Sequence, residues 1–399
     1  MAPSTSSALS VPRGVALYIG ALLGPGLLML PGLAAGMAGP ASVLAWVGLL
    51  AISALFAVVF TALGTRMPGG GGVIAYAAAG LGPRVGRAVG RCFLTGVVLG
   101  APVVCMIGAG YVTSLIGGGR VMTALVAALL LACVLGLTLA GARTGTTVQM
   151  ILVGLLLAVI VVAVAGSAHA SRVANWTPFA PHGWSAVGSA ASVLMLSFVG
   201  WEAVAPLTPR LANPRRSLPR ITAAAFAVTA AVYLALATTL VAVGAAGPWI
   251  AAGAAVLLTF ATINAYLTGG TTLAAHLRGK TEDRVPLFFA ATAAAGVVEL
   301  SLEAFGVLDT ARMVTLPTSL FLMVYVGSMA SAARLLRGVL RGVAASACAA
   351  SVIVLAFSGP AALLAVAVIA LALITPLPAG NRHSRSPSTS AVAAVGGGG

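Results

Sequence analysis

Glu202 is the residue of this sequence whose position points most directly to chemistry. It ends the stretch 197–202, SFVGWE, which lies inside a long apolar segment. An ionised carboxylate is costly in apolar surroundings, so such a residue is expected to have a role. Glu202 could carry a proton, or it could brace the backbone around Gly200. Both readings remain open from the sequence.

The second unusual stretch is Gly24-Pro25-Gly26, in an apolar segment near the N-terminus. Pro25 removes a backbone donor and clashes with the preceding turn, and glycines add no side chain to hold a helix together. Pro206 and Pro209 follow Glu202 in the same way. We therefore expect two interrupted helices. A pair of ordinary kinks in a glycine-rich chain is the alternative reading.

The two interruptions have complementary chemistry. The helix after the first would point free N–H groups and its positive dipole end into the gap, which suits a carboxylate. The helix before the second would leave carbonyl oxygens free, which suits an ammonium group. Together they would hold the zwitterionic end of an amino acid. The binding residues of this hypothesis are Leu23, Gly24, Pro25, Gly26, Ser197, Phe198, Val199, Gly200 and Trp201, with Glu202 as the proton-coupling candidate.

The elements that must position these residues are membrane helices. Of the 399 residues, 60% are hydrophobic and 7% are charged, whereas a soluble domain carries roughly 25% charged residues. No charged side chain lies between Gly14 and Arg66, and apolar runs of this kind recur to Pro376. About 20 apolar residues cross the hydrocarbon core as a helix. The composition therefore predicts an all-α protein that crosses the lipid bilayer many times.

Proline, glycine and arginine divide the chain into about twelve transmembrane helices. A short cytoplasmic tail, residues 1–13, precedes them, and the Ser/Gly-rich tail 377–399 is expected to be disordered. We do not expect a cleaved signal peptide, because the first apolar segment is too long. The predicted spans are 14–36, 40–64, 88–115, 120–140, 145–166, 184–208, 218–244, 249–277, 286–304, 310–334, 337–357 and 360–376.

The basic residues give an orientation to these spans. Of the 21 Lys and Arg residues, eighteen fall on the side of the N-terminus and three, Arg120, Arg172 and Arg312, on the other. Basic residues favour the cytoplasmic side, so both termini are expected inside a bacterial inner membrane. Interruptions in the first and sixth helices match an inverted repeat of 14–166 and 184–334, with two extra helices over 337–376.

Other classes of protein receive little support. The formal charge of +15 is scattered between apolar segments, which argues against nucleic acid as a partner. The Cys and His residues are not grouped, so neither a metal site nor a disulfide framework is predicted, and no cofactor is expected. A membrane-embedded enzyme, a sensor or a channel stays the alternative of another class. It has little support, because no catalytic set and no pore signature appears in the sequence. We expect Glu299 and Glu303 to be wetted near a membrane surface.

Five stretches resemble the amino acid/polyamine/organocation (APC) transporters, and the likeness extends over nearly the whole chain. They are Gly24–Gly26, the LGTRMPGGGG of 63–72, the FVGWE of 198–202, the NPRRSLPR of 213–220 and the NAYL of 264–267. The pair 198–202 and 213–220 is the most specific. Within that family the chain looks most like the compact bacterial exporters of methionine and branched-chain amino acids.

The resemblance implies a LeuT-like fold whose broken first and sixth helices hold the substrate, and transport by proton coupling or exchange. Some family positions differ here. The stretch Thr61-Ala62-Leu63-Gly64 lacks the acidic residue that is usual in the family's Glu-Leu-Gly. Arg210 stands where an acid usually precedes the Asn-Pro pair. Leu156 occupies the place of a lysine that some proton-coupled members carry, so a lysine mechanism is not expected.

We accordingly expect a secondary transporter, and not an enzyme, that exports neutral apolar amino acids with the help of protons. The predicted pathway shows no intramembrane Lys or Arg and little acid beyond Glu202, which favours a neutral substrate. The alternative transporter is an importer or exchanger of a cationic amino acid or polyamine, in which Glu202 is the counter-charge.

Overall fold

A computed structural model describes residues 9–23, 26–67, 72–140, 146–203, 208, 211–243 and 285–375. Within these ranges the regular structure is helical. The α-helices are α1 (Val11–Leu22), α2 (Gly26–Ala38), α3 (Ser42–Arg66), α4 (Gly72–Leu81), α5 (Pro83–Ile116), α6 (Arg120–Leu139), α7 (Thr146–Ser167), α8 (Ser185–Leu194), α9 (Pro214–Val243), α10 (Val285–Ala304), α11 (Thr310–Leu335), α12 (Val339–Ala356) and α13 (Pro360–Ile374).

Several of these helices can cross a bilayer by length and composition. Others, such as α1 and α8, are apolar but too short to cross alone, because an α-helix rises only about 1.5 Å per residue. Within the described ranges seven stretches qualify: Leu30–Arg66, Pro83–Ile116, Arg120–Leu139, Pro214–Val243, Pro286–Ala304, Thr310–Leu335 and Val339–Ala356.

The helix bounds differ from the sequence-based expectation in several places, and α9 begins at Pro214 instead of 218. The third span begins at Pro83 instead of 88, and a ten-residue helix, α4, occupies Gly72–Leu81, where we expected a loop. The sixth span is α-helical only over Ser185–Leu194. The predicted span 249–277 and the tail 377–399 lie outside the described residues.

Two helices form the centre of the described protein. In α5, 78% of the most apolar stretch is buried, and in α11 the share is 67%, against 28% in α6, α9 and α12. The helix α11 packs against α5, α4, α12 and α13, and α9 packs against α3 and α1. The outer helices have exposed leucines, such as Leu125 and Leu129 on α6. Such faces are suited to lipid, because apolar side chains are unfavourable in water and not in hydrocarbon.

Local sequence signals explain where the helices begin. Asn213 accepts a hydrogen bond from the backbone N–H of Arg216, at 3.3 Å, and Pro214 is the first residue of α9. Asp309 caps α11 by accepting from the N–H of Arg312 at 2.8 Å. An Asn or Asp cap followed by proline in the first turn is a common helix start. The Asn-Pro pair of the 213–220 stretch therefore has a structural role.

One expectation about acidic residues is wrong. We expected Glu299 and Glu303 to be wetted, but they are only 5% and 6% exposed. The reason is that α10 packs against both α5 and α6, and residues four apart lie on the same face of a helix. The face that carries both glutamates is the face that packs.

Candidate functional site

Two interruptions in the helices lie against each other. The first follows α1, which ends at Leu22, and the chain becomes helical again at Gly26. The second follows α8 and a 3₁₀ turn, Met195–Phe198, after which Val199 is extended (φ −75°, ψ 135°). Gly200 then has φ +137°. Among the described residues the main chain is thus non-helical at Leu23 (φ −77°, ψ 76°), at the first place, and at Val199 and Gly200, at the second.

Gly200 is the point at which the two interruptions touch. A Cβ added to Gly200 would lie 2.5 Å from the carbonyl oxygen of Ala21 and 3.1 Å from its carbonyl carbon. Both atoms belong to the backbone, so they cannot move aside as a flexible side chain would. The second interruption therefore sits directly on the last turn of α1.

The hydroxyl of Tyr233, on α9, joins the two interruptions. It donates to the carbonyl oxygen of Leu22, at 2.8 Å, and to that of Ser197, at 2.5 Å. Both carbonyls lie where a helix stops, and helix ends leave such oxygens without a partner in the helix. A phenol has one proton, so it can serve the two acceptors only in part. The pair forms a concentrated patch of negative partial charge.

Aromatic rings enclose this patch. The ring of Trp46 lies 4.9 Å from that of Tyr233 and 5.7 Å from that of Phe198, measured between centroids. On the other side, Trp201 packs edge-on against Tyr18 at 5.5 Å. All five rings are almost completely buried. We call Tyr18, Trp46, Phe198, Trp201 and Tyr233 the aromatic enclosure.

Hydrogen bonds hold Trp201 in the enclosure. Its indole N–H donates to the hydroxyl of Ser53, on α3, at 2.6 Å. Its own carbonyl accepts from the hydroxyl of Tyr18 at 3.0 Å. A buried tryptophan N–H usually needs such a partner. Trp201 thereby ties α3, α1 and the second interruption together.

Glu202 folds back onto the second interruption. Its Oε2 accepts from the hydroxyl of Tyr325, on α11, at 2.6 Å, and from the N–H of Gly200 at 3.1 Å. Tyr325 is stacked on Phe56, with ring centroids 4.6 Å apart. In the described part of the chain the ion pair is Arg312 with Asp309, and Glu202 has no cationic partner. The geometry suits a brace, and it leaves the carboxyl group able to take up a proton.

Among the described residues, three buried polar atoms near the enclosure have no hydrogen-bond partner. They are Nε1 of Trp46, Oγ of Ser197 and Oγ1 of Thr229, which lies one helical turn before Tyr233. Leaving such a group unpaired costs about 1–3 kcal/mol. Unpaired groups gathered around helix ends are what a site prepared for a polar ligand would show.

A small cavity lies behind the second interruption, between α5 and α11. Its volume is about 20 Å³, room for about one water molecule, and its walls are apolar. It is too small and too apolar to hold a zwitterion by itself. The residues that line it are Gly96, Val97, Gly100, Ala101, Val104, Leu196 and Phe321.

The residues predicted from the sequence divide into two groups. Ser197, Phe198, Val199, Gly200 and Trp201 form the second interruption, and Leu23, buried, lies at the end of α1 with Gly26 beginning α2. Gly24 and Pro25 lie outside the described residues.

Sequence reasoning missed the residues that other helices bring to the site. These are Tyr18, Trp46, Ser53, Tyr233 and Tyr325. A signal was present, since the chain has only six tyrosines and aromatic rings with a polar tip in apolar helices need a partner for that tip.

Removing the hydroxyl of Tyr233 tests its bridging role. Tyr233→Phe is expected to lower the free energy of unfolding by about 1–3 kcal/mol, because two buried carbonyls lose their donor. The measurement is unfolding of the purified protein in detergent, followed by circular dichroism. Tyr111→Phe is the matched control, because Tyr111 is half-buried and its hydroxyl makes no hydrogen bond with the described residues. Equal losses in both variants would contradict the bridge.

Comparison with known proteins gives a consistent picture. The sequence profile described as "Amino acid permease" matches residues 9–277. An uncharacterized amino acid permease of Bacillus subtilis, YecA, is 29% identical over 93% of this chain and 96% of its own length. The L-methionine/branched-chain amino acid exporter YjeH of Escherichia coli is 33% identical, over 53% of this chain and 51% of its own.

The fold has a counterpart among solved structures. A manganese transporter of Eremococcus coleocola superposes with a TM-score of 0.60, over 93% of this chain and 94% of that one. The sequence identity is 13%, so the likeness concerns the fold and not the cargo.

Proposed function

This chain belongs to the amino acid permease family, and from that premise we propose that it exports neutral apolar amino acids in a proton-linked manner. Membership accounts for the apolar helices and for amino acid transport. The substrate class, the direction and the coupling are our proposal. They rest on the chemistry of the two interruptions and on the resemblance of the chain to a methionine and branched-chain exporter.

The single observation that carries the proposal is the hydroxyl of Tyr233 between two helix-end carbonyls. In our proposal the ammonium group of the substrate binds the carbonyl oxygens of Leu22 and Ser197, where Tyr233 now donates. An ammonium group has three donors and can satisfy both oxygens, whereas the phenol has one.

The carboxylate of the substrate needs donors, and two sources lie close by. The first backbone N–H groups of α2, from Gly26 onwards, have no acceptor within their own helix, as at any helix start, and would suit a carboxylate. The unpartnered Nε1 of Trp46 and hydroxyl of Ser197 are side-chain donors near the second interruption. We assign the carboxylate to this side of the site.

The aromatic enclosure favours an apolar side chain on the substrate. It offers ring faces and edges, and they would bury a methionine or branched-chain group at a gain of roughly 1.5–3 kcal/mol. A basic side chain would need a counter-charge, and the acid at hand, Glu202, already accepts from Tyr325 and Gly200.

We also propose the arrangement of the whole chain in the membrane. It has about twelve membrane spans. Ten of them form two inverted repeats, 14–166 and 184–334, and the last two cover 337–376, with both termini in the cytoplasm. The paired interruptions and the eighteen-to-three distribution of basic residues support this arrangement.

Counterflow in proteoliposomes tests the substrate class. Vesicles loaded with one amino acid are given a labelled amino acid outside, with and without pH and sodium gradients. We expect labelled methionine, leucine, isoleucine and valine to exchange, and arginine, lysine and putrescine to stay outside, because the enclosure lacks a free counter-charge. Protein-free vesicles are the control. Exchange of the cations alone would contradict the proposal.

A further inference from the structure

Two buried carboxyl groups lie on a helix that contributes nothing to the two interruptions. Glu299 and Glu303, on α10, are 5% and 6% exposed. Both oxygens of Glu299 and Oε2 of Glu303 are buried without a hydrogen-bond partner in the described protein. Bare carboxylates in a membrane helix are expensive and are normally paired or functional. A buried carboxylate without a hydrogen-bond partner is expected to bind a proton or a cation that neutralises its charge.

The surroundings of the pair can be read from the packing of α10. A Cβ at Gly296 would lie 2.4 Å from Cδ2 of Leu131, on α6, and 3.6 Å from Cγ of Pro102, on α5. At the other end, a Cβ at Gly306 would lie 2.7 Å from Nη1 of Arg120. The face of α10 between these two glycines, which includes both glutamates, therefore runs along α6 from Leu131 to Arg120.

The two glutamates differ in their electrostatic surroundings. The charge of Arg120 attracts that of Glu303, whereas no charged group in the described ranges acts in this way on Glu299. Glu303 is one turn nearer the end of α10, and Glu299 one turn deeper. The titratable or charged side chains on the two helices that pack against α10 are Arg84, Arg87, Arg91, Cys92, Cys105 and Tyr111 on α5, and Arg120 and Cys133 on α6.

A metal cation does not suit this place. Sodium and similar ions need several oxygen ligands in addition to a carboxylate. In the described part of the chain no third His, Cys, Asp or Glu completes such a shell around the two glutamates. A proton needs no such shell, because it converts the carboxylate into a neutral acid.

We propose that Glu299 is a proton-binding site of this protein and that Glu303 passes the proton between it and the end of α10 beside Arg120. Each carboxylate takes one proton onto an oxygen and releases it to its neighbour or to water, and no other bond changes. Glu299 is neutral when the site is filled, so its lack of partners is then tolerable.

The helix α5 would transmit the state of this site to the two interruptions. It packs against α10 through Pro102, and its next residue towards the N-terminus, Ala101, lines the small cavity beside Leu196. A change of charge at Glu299 would therefore act on α5, which packs against α10 and lines the small cavity behind the second interruption. This part rests on the proposed function, whereas the binding of a proton does not.

Infrared spectroscopy of the full chain in lipid nanodiscs detects the proton directly. The C=O stretch of a protonated carboxyl group is expected in the wild type at neutral pH, and it should be smaller in Glu299→Gln. Ser301→Ala, an exposed position on the same helix, should keep the wild-type band. A band of equal size in the wild type and in Glu299→Gln would overturn the proposal. Its disappearance from the wild type on adding sodium at constant pH would do the same.

A second variant guards against a folding defect. Glu299→Met keeps the length of the side chain and loses no hydrogen bond, so its unfolding temperature should equal or exceed that of the wild type. It should lack the same part of the carboxyl band. A large fall in the unfolding temperature would show that Glu299 is a structural anchor, which would overturn the proposal.

Transport separates this inference from the proposed function. Exchange without a gradient reports on the amino-acid site, and accumulation driven by a pH gradient reports on the proton. For each protein, uptake driven by a pH gradient is divided by the rate of exchange. We expect this ratio to be lower in Glu299→Gln than in the wild type, and to equal the value measured without a gradient. Wild-type protein that exchanges no amino acid, but keeps the Glu299 band, would end the proposed function alone. An unchanged ratio would end the coupling role of Glu299.

Discussion

Replacing Gly200 by alanine is expected to abolish amino-acid exchange. The φ of +137° at this residue is a conformation that residues with a Cβ rarely adopt, and such strain costs about 1–3 kcal/mol. The new methyl group would also lie 2.5 Å from the carbonyl oxygen of Ala21. To relieve both, the second interruption must move away from the end of α1. The carbonyl oxygens of Leu22 and Ser197 would then no longer face one hydroxyl.

The measurement is the initial rate of counterflow, together with size-exclusion chromatography to show that the variant is folded. Gly48→Ala is the matched control, since Gly48 lies in α3 and a Cβ there meets nothing within 4 Å. The control should exchange like the wild type. If Gly200→Ala exchanged amino acids at the rate of the wild type, the contact between the interruptions would not be needed for transport.

Glu202→Gln is expected to uncouple transport from the proton without unfolding the site. The amide oxygen of glutamine can still accept from the hydroxyl of Tyr325 and from the N–H of Gly200, as Oε2 does now. Only the ability to gain and lose a proton disappears. We therefore expect counterflow of neutral amino acids to persist, and accumulation driven by a pH gradient to fall to the level without a gradient.

This variant also decides between the two substrate classes. If Glu202 were the counter-charge of a cationic substrate, the wild type would transport the cation and Glu202→Gln would not, and that result would contradict our assignment. Tyr325→Phe is the complementary control, because it removes a donor from the brace and keeps the charge of Glu202. Gradient-driven uptake that is unchanged in Glu202→Gln would assign Glu202 to the brace alone.

Parts of the fold that depend on local backbone chemistry can be predicted from the sequence. The pair Asn213-Pro214 starts α9 four residues before the predicted start at 218, because a cap and a proline act within one turn. Gly200 marks an interruption because its main chain takes a conformation suited to glycine. Signals of this kind require only a few neighbouring residues, so they can be read without knowledge of tertiary contacts.

The partners of the interruptions could not be predicted in the same way. Tyr233 is 211 residues from Leu22 along the chain, and Tyr325 is 123 from Glu202. The helices that carry these tyrosines are apolar on every side, so their sequence does not indicate which face turns inward. The burial of Glu299 was missed for the same reason, since it depends on the packing of α10 against α6.

The bridge made by Tyr233 has a consequence for the choice of substrate. Two carbonyl acceptors share one hydrogen atom, so the pair is one donor short unless another donor binds. In our proposal the ammonium group of an amino acid offers three donors to these oxygens, whereas the corresponding hydroxy acid offers one and the keto acid none. The backbone itself would thus discriminate on the α-amino group, whatever the side chain attached to it.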